Sequence, residues 1–264
     1  MQFSFDLISD LHLDHDGTVQ EFNWHGQATS RFCIVAGDIA RNRNLVIRTL
    51  EHLGSCYQAV FYIDGNDEHK NYMDDLGRSY YDLRERINRL RNVHFLQDHV
   101  IVTDGIALLA TNGWWAYNFD PDADPDNIRQ IWLDDSPDLI GVETSMIEAF
   151  HHNDAAYIKR SIKRLQLHND VKKIVVVTHT VPNINLVNYD LKLTNSWRYG
   201  VIGNRSMEAV LELDTEKKIH TWCFGHYHGP VDRIIDGVRF VNNCRGRAGS
   251  ANTVYFPKKI VVDL

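Results

Sequence analysis

Apolar residues in this chain come in short runs separated by polar breaks. Residues 3–9, 32–36, 59–63, 173–178 and 221–224 are such runs, each of strand length. Between them the spacing changes. Leu45, Leu50 and Leu53 with interleaved basic residues predict a short amphipathic helix over 44–53. Leu76, Tyr80, Leu83, Ile87 and Leu90 recur at three- and four-residue spacing, which predicts a helix with one buried face. Further strands are expected over 93–96, 100–103 and 106–110, with Asp104-Gly105 as a hairpin turn. Helical spacing returns over 154–167. The remaining runs, 231–235, 238–242 and 260–262, read as strands, and Asp236-Gly237 joins the first two.

Two stretches fit neither period. Residues 112–152 hold Trp114, Trp115, Tyr117, Phe119 and Trp132 among Asp120, Asp122, Asp124, Asp126, Asp134 and Asp135, interrupted by Pro121, Pro125 and Pro137. A long irregular aromatic segment of this kind predicts a lid or cap insertion, or else a surface excursion pinned by its aromatics. Residues 182–200 form a second polar loop carrying Tyr189, Trp197, Arg198 and Tyr199. There is no repeat, low-complexity tract or linker, so one domain over residues 1–264 is expected.

The bulk numbers narrow the class. The chain has 264 residues, within reach of one α/β domain. Its net charge of −7 and pI near 6.0 argue against a basic nucleic-acid surface. None of the four Cys forms a C-x-x-C pair, which removes zinc-finger and thioredoxin readings. Cys33 and Cys223 sit inside apolar runs and are expected to be buried reduced thiols. No signal peptide or membrane span is read from the chain, which fits a cytoplasmic enzyme.

The chemistry lies where the runs stop. They end in Asp10-Leu11-His12, Gly37-Asp38, Gly65-Asn66, His179 and Gly225-His226-Tyr227-His228. Ligands of open α/β sheets bind at the carboxyl ends of strands. If the runs are neighbouring strands, two Asp, one Asn and four His face one crevice. That is the inventory of a two-metal site for phosphoryl transfer. In extended chain, residues i and i+2 project from the same side, so Asp10 with His12 and His226 with His228 would each reach one cation. Each piece alone is common; a single His after a strand is more often structural. Their joint order is what is specific. His15, His25, His52, His94, His99, His151, His152, His168 and His220 read as surface or loop positions.

These blocks, together with Gly37-Asp38-Ile39-Ala40-Arg41, Gly65-Asn66-Asp67-Glu68 and Thr178-His179, resemble the calcineurin-like metallophosphoesterase family over nearly the whole chain. The tail Val241-Asn242-Asn243-Cys244-Arg245-Gly246 is similar to the Asn-Pro-Arg-Gly ending of small bacterial members, with Cys for Pro. The resemblance implies an α/β fold, a two-sheet β-sandwich flanked by helices. It implies two divalent metal ions, manganese first with iron or zinc as alternatives. Asp10, His12, Asp38 and His228 would hold one ion. Asp38, Asn66, His179 and His226 would hold the other, with Asp38 bridging. It further implies a metal-bridging hydroxide attacking phosphorus in line. The ligand set, with two aromatic loops, Trp114–Phe119 and Tyr189–Tyr199, able to stack on a base or ring, reads as a phosphodiesterase or small-molecule phosphatase acting on a phosphorylated small molecule or nucleotide-type substrate.

One position departs. The family has His after Gly-Asn as the proposed general acid, and this chain has Asp67. A carboxylate beside two cations is ionised and donates no proton. Three readings follow: turnover of good leaving groups without the acid, an imidazole supplied instead by His69, or a metal-binding chain without turnover that serves as a binding or scaffold protein. Arg41 is a candidate phosphate contact, or an ion-pair partner for an acidic loop residue.

Overall fold

All five runs become strands, and the strands sort into two sheets. The structure is a computed structural model that describes residues 2–17, 19–20, 22–72, 74–135, 144–188, 196–247 and 255–264. In the first sheet, β1 (Gln2–Ile8), β2 (Phe32–Ala36), β3 (Ala59–Ile63) and β4 (Val93–Phe95) run parallel. β11 (Lys258–Asp263) adds antiparallel to β1, giving the order β11-β1-β2-β3-β4. The second sheet contains β5 (His99–Thr103), β6 (Ile106–Ala110), β7 (Lys173–Val177), β8 (Ile219–Phe224), β9 (Asp232–Ile235) and β10 (Val238–Asn242). Its order is β5-β6-β7-β8-β10-β9; the edge strands are antiparallel and the inner four parallel.

The sheets stack through Phe5, Leu7, Ile34, Phe61, Leu108 and Val175. The outer face of the first sheet is covered by α1 (Arg43–Cys56) and α2 (Leu76–Ile87), which bury Leu50, Leu53, Leu83 and Ile87. The outer face of the second is covered by α4 (Thr144–Gln166) through Ile158, Ile162 and Leu165. With both faces of each sheet covered, the inner strands are continuous apolar runs rather than alternating ones. The expected two-sheet sandwich flanked by helices is the observed fold. Both hairpin turns hold positive φ at both central residues, Asp104 (49°) with Gly105 (81°) and Asp236 (51°) with Gly237 (83°). This is the type I′ geometry that Asp-Gly supports.

The described residues of the 112–152 stretch are more ordered than its composition predicts. It contains a helix, α3 (Pro125–Asp134): the Asp124 side chain accepts the Asp126 amide and Pro125 occupies the first turn. The Pro read as an interruption is a helix start. α4 likewise begins at Thr144, ahead of the expected 154. Trp114, Trp115, Tyr117 and Trp132 pack with Ile128, Ile147 and Val201 as a satellite core, so most of these rings face inward. In the second loop a short helix, α5 (Ser196–Gly200), buries Tyr199 and leaves Trp197 half-buried; Tyr189 and Pro137 lie outside the described residues. Among the described residues no helix is long and apolar enough to cross a membrane.

Candidate metal centre

The loops that follow β1, β2, β3, β7 and β8 meet at one crevice, but not as extended chain. Asp10 (φ 53°), His12 (44°), Asp38 (54°) and His226 (61°) all sit in the left-handed region. Such residues cost on the order of 1–3 kcal/mol each and persist only where their surroundings force them. The i, i+2 strand argument for Asp10 with His12 and for His226 with His228 therefore does not hold. Tight turns bring these side chains together.

The turns are held by the backbone. The amides of Asp10, His12 and Leu13 donate to the carbonyls of Gly37, Asp38 and Ile39 at 3.0–3.1 Å. A Cβ on Gly37, at φ 82°, would lie 2.5 Å from His179 Nδ1, and one on Gly65 would lie 2.1 Å from Asp38 Oδ1. Only glycine lets these loops close on the donors. Glu68 accepts the amides of Asp38 (3.0 Å), Ile39 (2.7 Å) and Gly65 (2.8 Å), tying two loops to one carboxyl group. The C-terminal tail brackets the first loop: Arg245 N donates to Ser9 O (3.0 Å) and its Nη1 to Leu11 O (2.7 Å).

Two donor clusters result. Asp10, His12 and His228 offer ligand atoms all within 4.8 Å of one another, and so do Asp38, His179 and His226. His12 Nε2 lies 3.0 Å from His228 Nε2 and 3.8 Å from Asp10 Oδ1 and Asp38 Oδ2. His179 Nε2 lies 3.4 Å from Asp38 Oδ1 and 3.2 Å from Asn66 Oδ1. Asp38 thus turns one oxygen toward each cluster. His179 Nδ1–H donates to the Ala36 carbonyl (2.8 Å), and His12 Nδ1 faces the Asp67 carboxylate (3.0 Å). Each Nε2 is thereby directed at the cluster, the arrangement metal-bound imidazoles use.

The charges agree with this. Burial opposes ionisation of Asp10 and Asp38, yet neighbouring imidazoles hold both carboxyls below the usual carboxylate range. Burial also opposes charge on His179, but Asp38 and Asp10 overcome it and raise the ring to about 10. Burial and the adjacent His179 push His226 down to about 4, leaving it neutral. The crevice draws positive charge toward its carboxylates. Its mixed oxygen and imidazole donors, glycine-cleared space and preset tautomers fit divalent cations.

The three residues considered for acid or phosphate roles part company. Asp67 is buried; its amide donates to Asp38 Oδ1 (2.9 Å), and Arg41 Nε lies 3.7 Å from its Oδ2. Burial raises its pKa, but His12, Arg41 and Lys70 outweigh this and keep it ionised. His69 is not at the crevice, and the expectation that it supplies the imidazole is corrected. It is fully buried, with Nε2 2.8 Å from Asp64 Oδ2, Nδ1 2.8 Å from Ser79 Oγ, and Tyr80 and Trp114 packed on its ring. Sequence patterning assigns no role to Glu68 or Asn112 and names Trp115 only as one of several loop aromatics, not as the ring against His226. Asn112 O accepts the His179 amide (2.8 Å), and the Trp115 ring stacks on His226 at 5.6 Å and 20°. Glu68 lies within the motif; the other two carry no local signal.

The crevice opens into a pocket of about 450 Å³. Trp115, Trp132 and Trp197 are among its lining residues, and Lys70, Arg198 and Arg247 supply cations. A larger hollow of about 590 Å³ lies at the opposite ends of β7 and β8, by Lys173 and Ile219, and contains none of these donors.

Among solved structures, the phosphopantetheinyl hydrolase of Mycobacterium tuberculosis superposes with a TM-score of 0.67 at 20% identity, covering 92% of this chain and 89% of that one. This chain has the fold of that hydrolase. A Staphylococcus aureus protein bearing the name 5′-nucleotidase matches at TM-score 0.52 and 15% identity; all of this chain aligns, to 51% of the other. No family model matches the sequence, and neither does any curated protein.

Proposed function

We propose that this protein is a hydrolase of phosphoric esters that works with two divalent metal ions, manganese first. The observation that carries this reading is the pair of donor clusters sharing Asp38, with one oxygen turned to each side. Asp10, His12 and His228 would hold one ion, and Asn66, His179 and His226 the other, with Asp38 common to both. Bound there, the ions supply Lewis acidity to a phosphoryl group and to the attacking water. The protein's own part is to orient the imidazoles, hold Asp38 between the clusters and grip the substrate. Asp67 keeps His12 turned inward and donates no proton. Arg41, Lys70, Arg198 and Arg247 gather phosphate oxygens from the rim. The Trp115 and Trp197 side offers a surface for a ring or apolar arm.

The lack of a proton donor at Asp67 favours leaving groups that depart as stable anions. A phosphodiester or small phosphorylated molecule fits better than a simple alkyl monoester. The names of the two structural neighbours, a phosphopantetheinyl hydrolase and a 5′-nucleotidase, support that substrate class. The anionic total, −7, weighs against nucleic acid. The same Asp67 geometry favours a second reading, a metal-binding protein without turnover.

The test is hydrolysis of bis-para-nitrophenyl phosphate by metal-stripped protein with Mn(II) restored. Mn-dependent turnover that disappears in His226→Ala supports the hydrolase. Metal binding with no turnover, rescued by Asp67→His, supports the second reading. Turnover unchanged in His226→Ala overturns the proposed centre.

A further inference from the structure

Away from the crevice, three side chains that read as bland in the sequence converge. His52 and Cys56 are four apart on α1, so they share one face a turn apart. His25 comes from the loop ahead of β2. One ligand atom from each lies within 4.8 Å of the others. Cys56 Sγ is 3.9 Å from His25 Nδ1, and the two imidazoles meet edge to face at 4.6 Å. The loop is pinned by its neighbour. Trp24 is buried, its indole N–H donates to the Tyr57 hydroxyl (2.8 Å), and its amide donates to His52 Nε2 (2.8 Å). All three donors remain partly open to solvent.

We propose that His25, His52 and Cys56 form a further metal site, separate from the crevice, for a soft or borderline transition ion such as Zn(II), Co(II) or Cu(I). A thiolate with two imidazoles selects such ions over manganese or magnesium. Tetrahedral zinc with one sulfur and one nitrogen ligand sets them about 3.6 Å apart. The observed separation of 3.9 Å needs a shift of a few tenths. Water completes the coordination. Binding releases the Cys56 thiol proton to solvent, and the thiolate pair becomes the metal–sulfur bond.

His52 sets the cost of loading. Because the Trp24 amide donates to Nε2, the neutral ring carries its proton on Nδ1. An ion taken at Nε2 displaces the Trp24 amide; one taken at Nδ1 requires the ring proton to move and the amide to turn away. Either route gives up one hydrogen bond, which weakens the site about tenfold against one without that competitor. The ion would staple the loop around Trp24 to the last turn of α1.

The test uses the full chain, metal-stripped and titrated with Co(II). A thiolate-to-cobalt charge-transfer band with the amplitude of one thiolate-bound ion per chain is expected, growing in as or after the crevice takes its own cobalt, absent in Cys56→Ser and shifted about tenfold or more to higher cobalt in His25→Ala. Zn(II) is expected to slow alkylation of Cys56 in the unaltered chain, read by peptide mass, and to move the Trp24 amide resonance. Absence of the band, or unslowed alkylation of Cys56, overturns the site. A band surviving in Cys56→Ser also overturns it and assigns the sulfur to Cys244, which approaches Ser9 Oγ beside Asp10. These readouts do not depend on phosphoesterase activity, so the site and the hydrolase proposal fail separately.

Discussion

Asp67 with His12 and Asp64 with His69 are the same chemical pair at nearly the same distance, 3.0 and 2.8 Å. Both are buried, and both come from the segment after β3 meeting an imidazole. They differ in what the second ring nitrogen meets. In His12 it faces Asp10 of its own loop and Asp38 and His228 from two others. In His69 it is taken by Ser79 Oγ, which Arg43 Nη2 also reaches at 2.7 Å. A carboxylate–imidazole pair is therefore not a site in itself. It becomes one where the spare lone pair is left among convergent donors, and it becomes structure where that lone pair is spent.

Several substitutions would break or sharpen this contrast. The largest effect is expected at Asp38→Asn, which removes the shared carboxylate. Mn-dependent diester hydrolysis should fall about 10³-fold or more, with circular dichroism unchanged; a fall below tenfold would refute its bridging place. His69→Ala should act on the fold alone, since it strands Asp64 in the interior. Urea unfolding should register a loss of about 3 kcal/mol, while KM for the diester stays put. A collapse of kcat at full stability would return His69 to the catalytic candidates. Asp67→Ala should weaken Mn(II) binding about 10–100-fold, as loss of an outer partner does, measured by metal titration; unaltered affinity would remove its positioning role.

A smaller, pH-dependent effect is expected at Asp154. Its Oδ2 accepts the amides of Gly113 (2.7 Å) and Trp114 (3.0 Å), holding the loop after β6 that presents Trp115. Burial and the nearby Asp98 push its carboxyl up to about 7 from 3.8. The folded state then binds the proton more tightly than the unfolded one. Its stabilising contribution is complete below about pH 4 and lost as pH rises toward 7. Asp154→Asn should flatten that decline, seen as urea midpoints at pH 4.5 and 7.5; parallel profiles would exclude it. The smallest expected effect is Arg41→Ala, a rise in KM of about tenfold or less, because its guanidinium reaches Asp67 only at 3.7 Å.

Much of this was legible in the sequence because strand ends repeat one grammar. Each run stopped at a Gly or a donor, and the seven proposed ligands do converge. The reason given for their convergence was wrong at Asp10, His12 and His226, whose positive φ has no signature in residue type beyond a mild tolerance in Asp and His. His69 was misplaced because two residues along a 3-10 turn reverse a side chain's direction, which spacing alone cannot show. α3 was overlooked because Asp124-Pro125 was taken as a break, although the same pair caps a helix. Trp114 and Tyr117 were expected near a ligand and are core instead, leaving Trp115 at the pocket. Glu68 was quoted within its motif without a role, since three amides converging on one carboxyl group is a purely tertiary event.

The pairing of β1 with β11, in register from Gln2 opposite Asp263 to Leu7 opposite Lys258, has a consequence in time. A ribosome adding about 5–20 residues per second leaves that edge of β1 without its partner for roughly 12–50 s. An uncovered strand edge is an invitation to foreign pairing. The crevice waits as well, because Asp10 meets His226 only after 216 further residues have been made. Assembly of this sheet is thus a delayed closure, in which β1 gains its last neighbour only when β11 has been made.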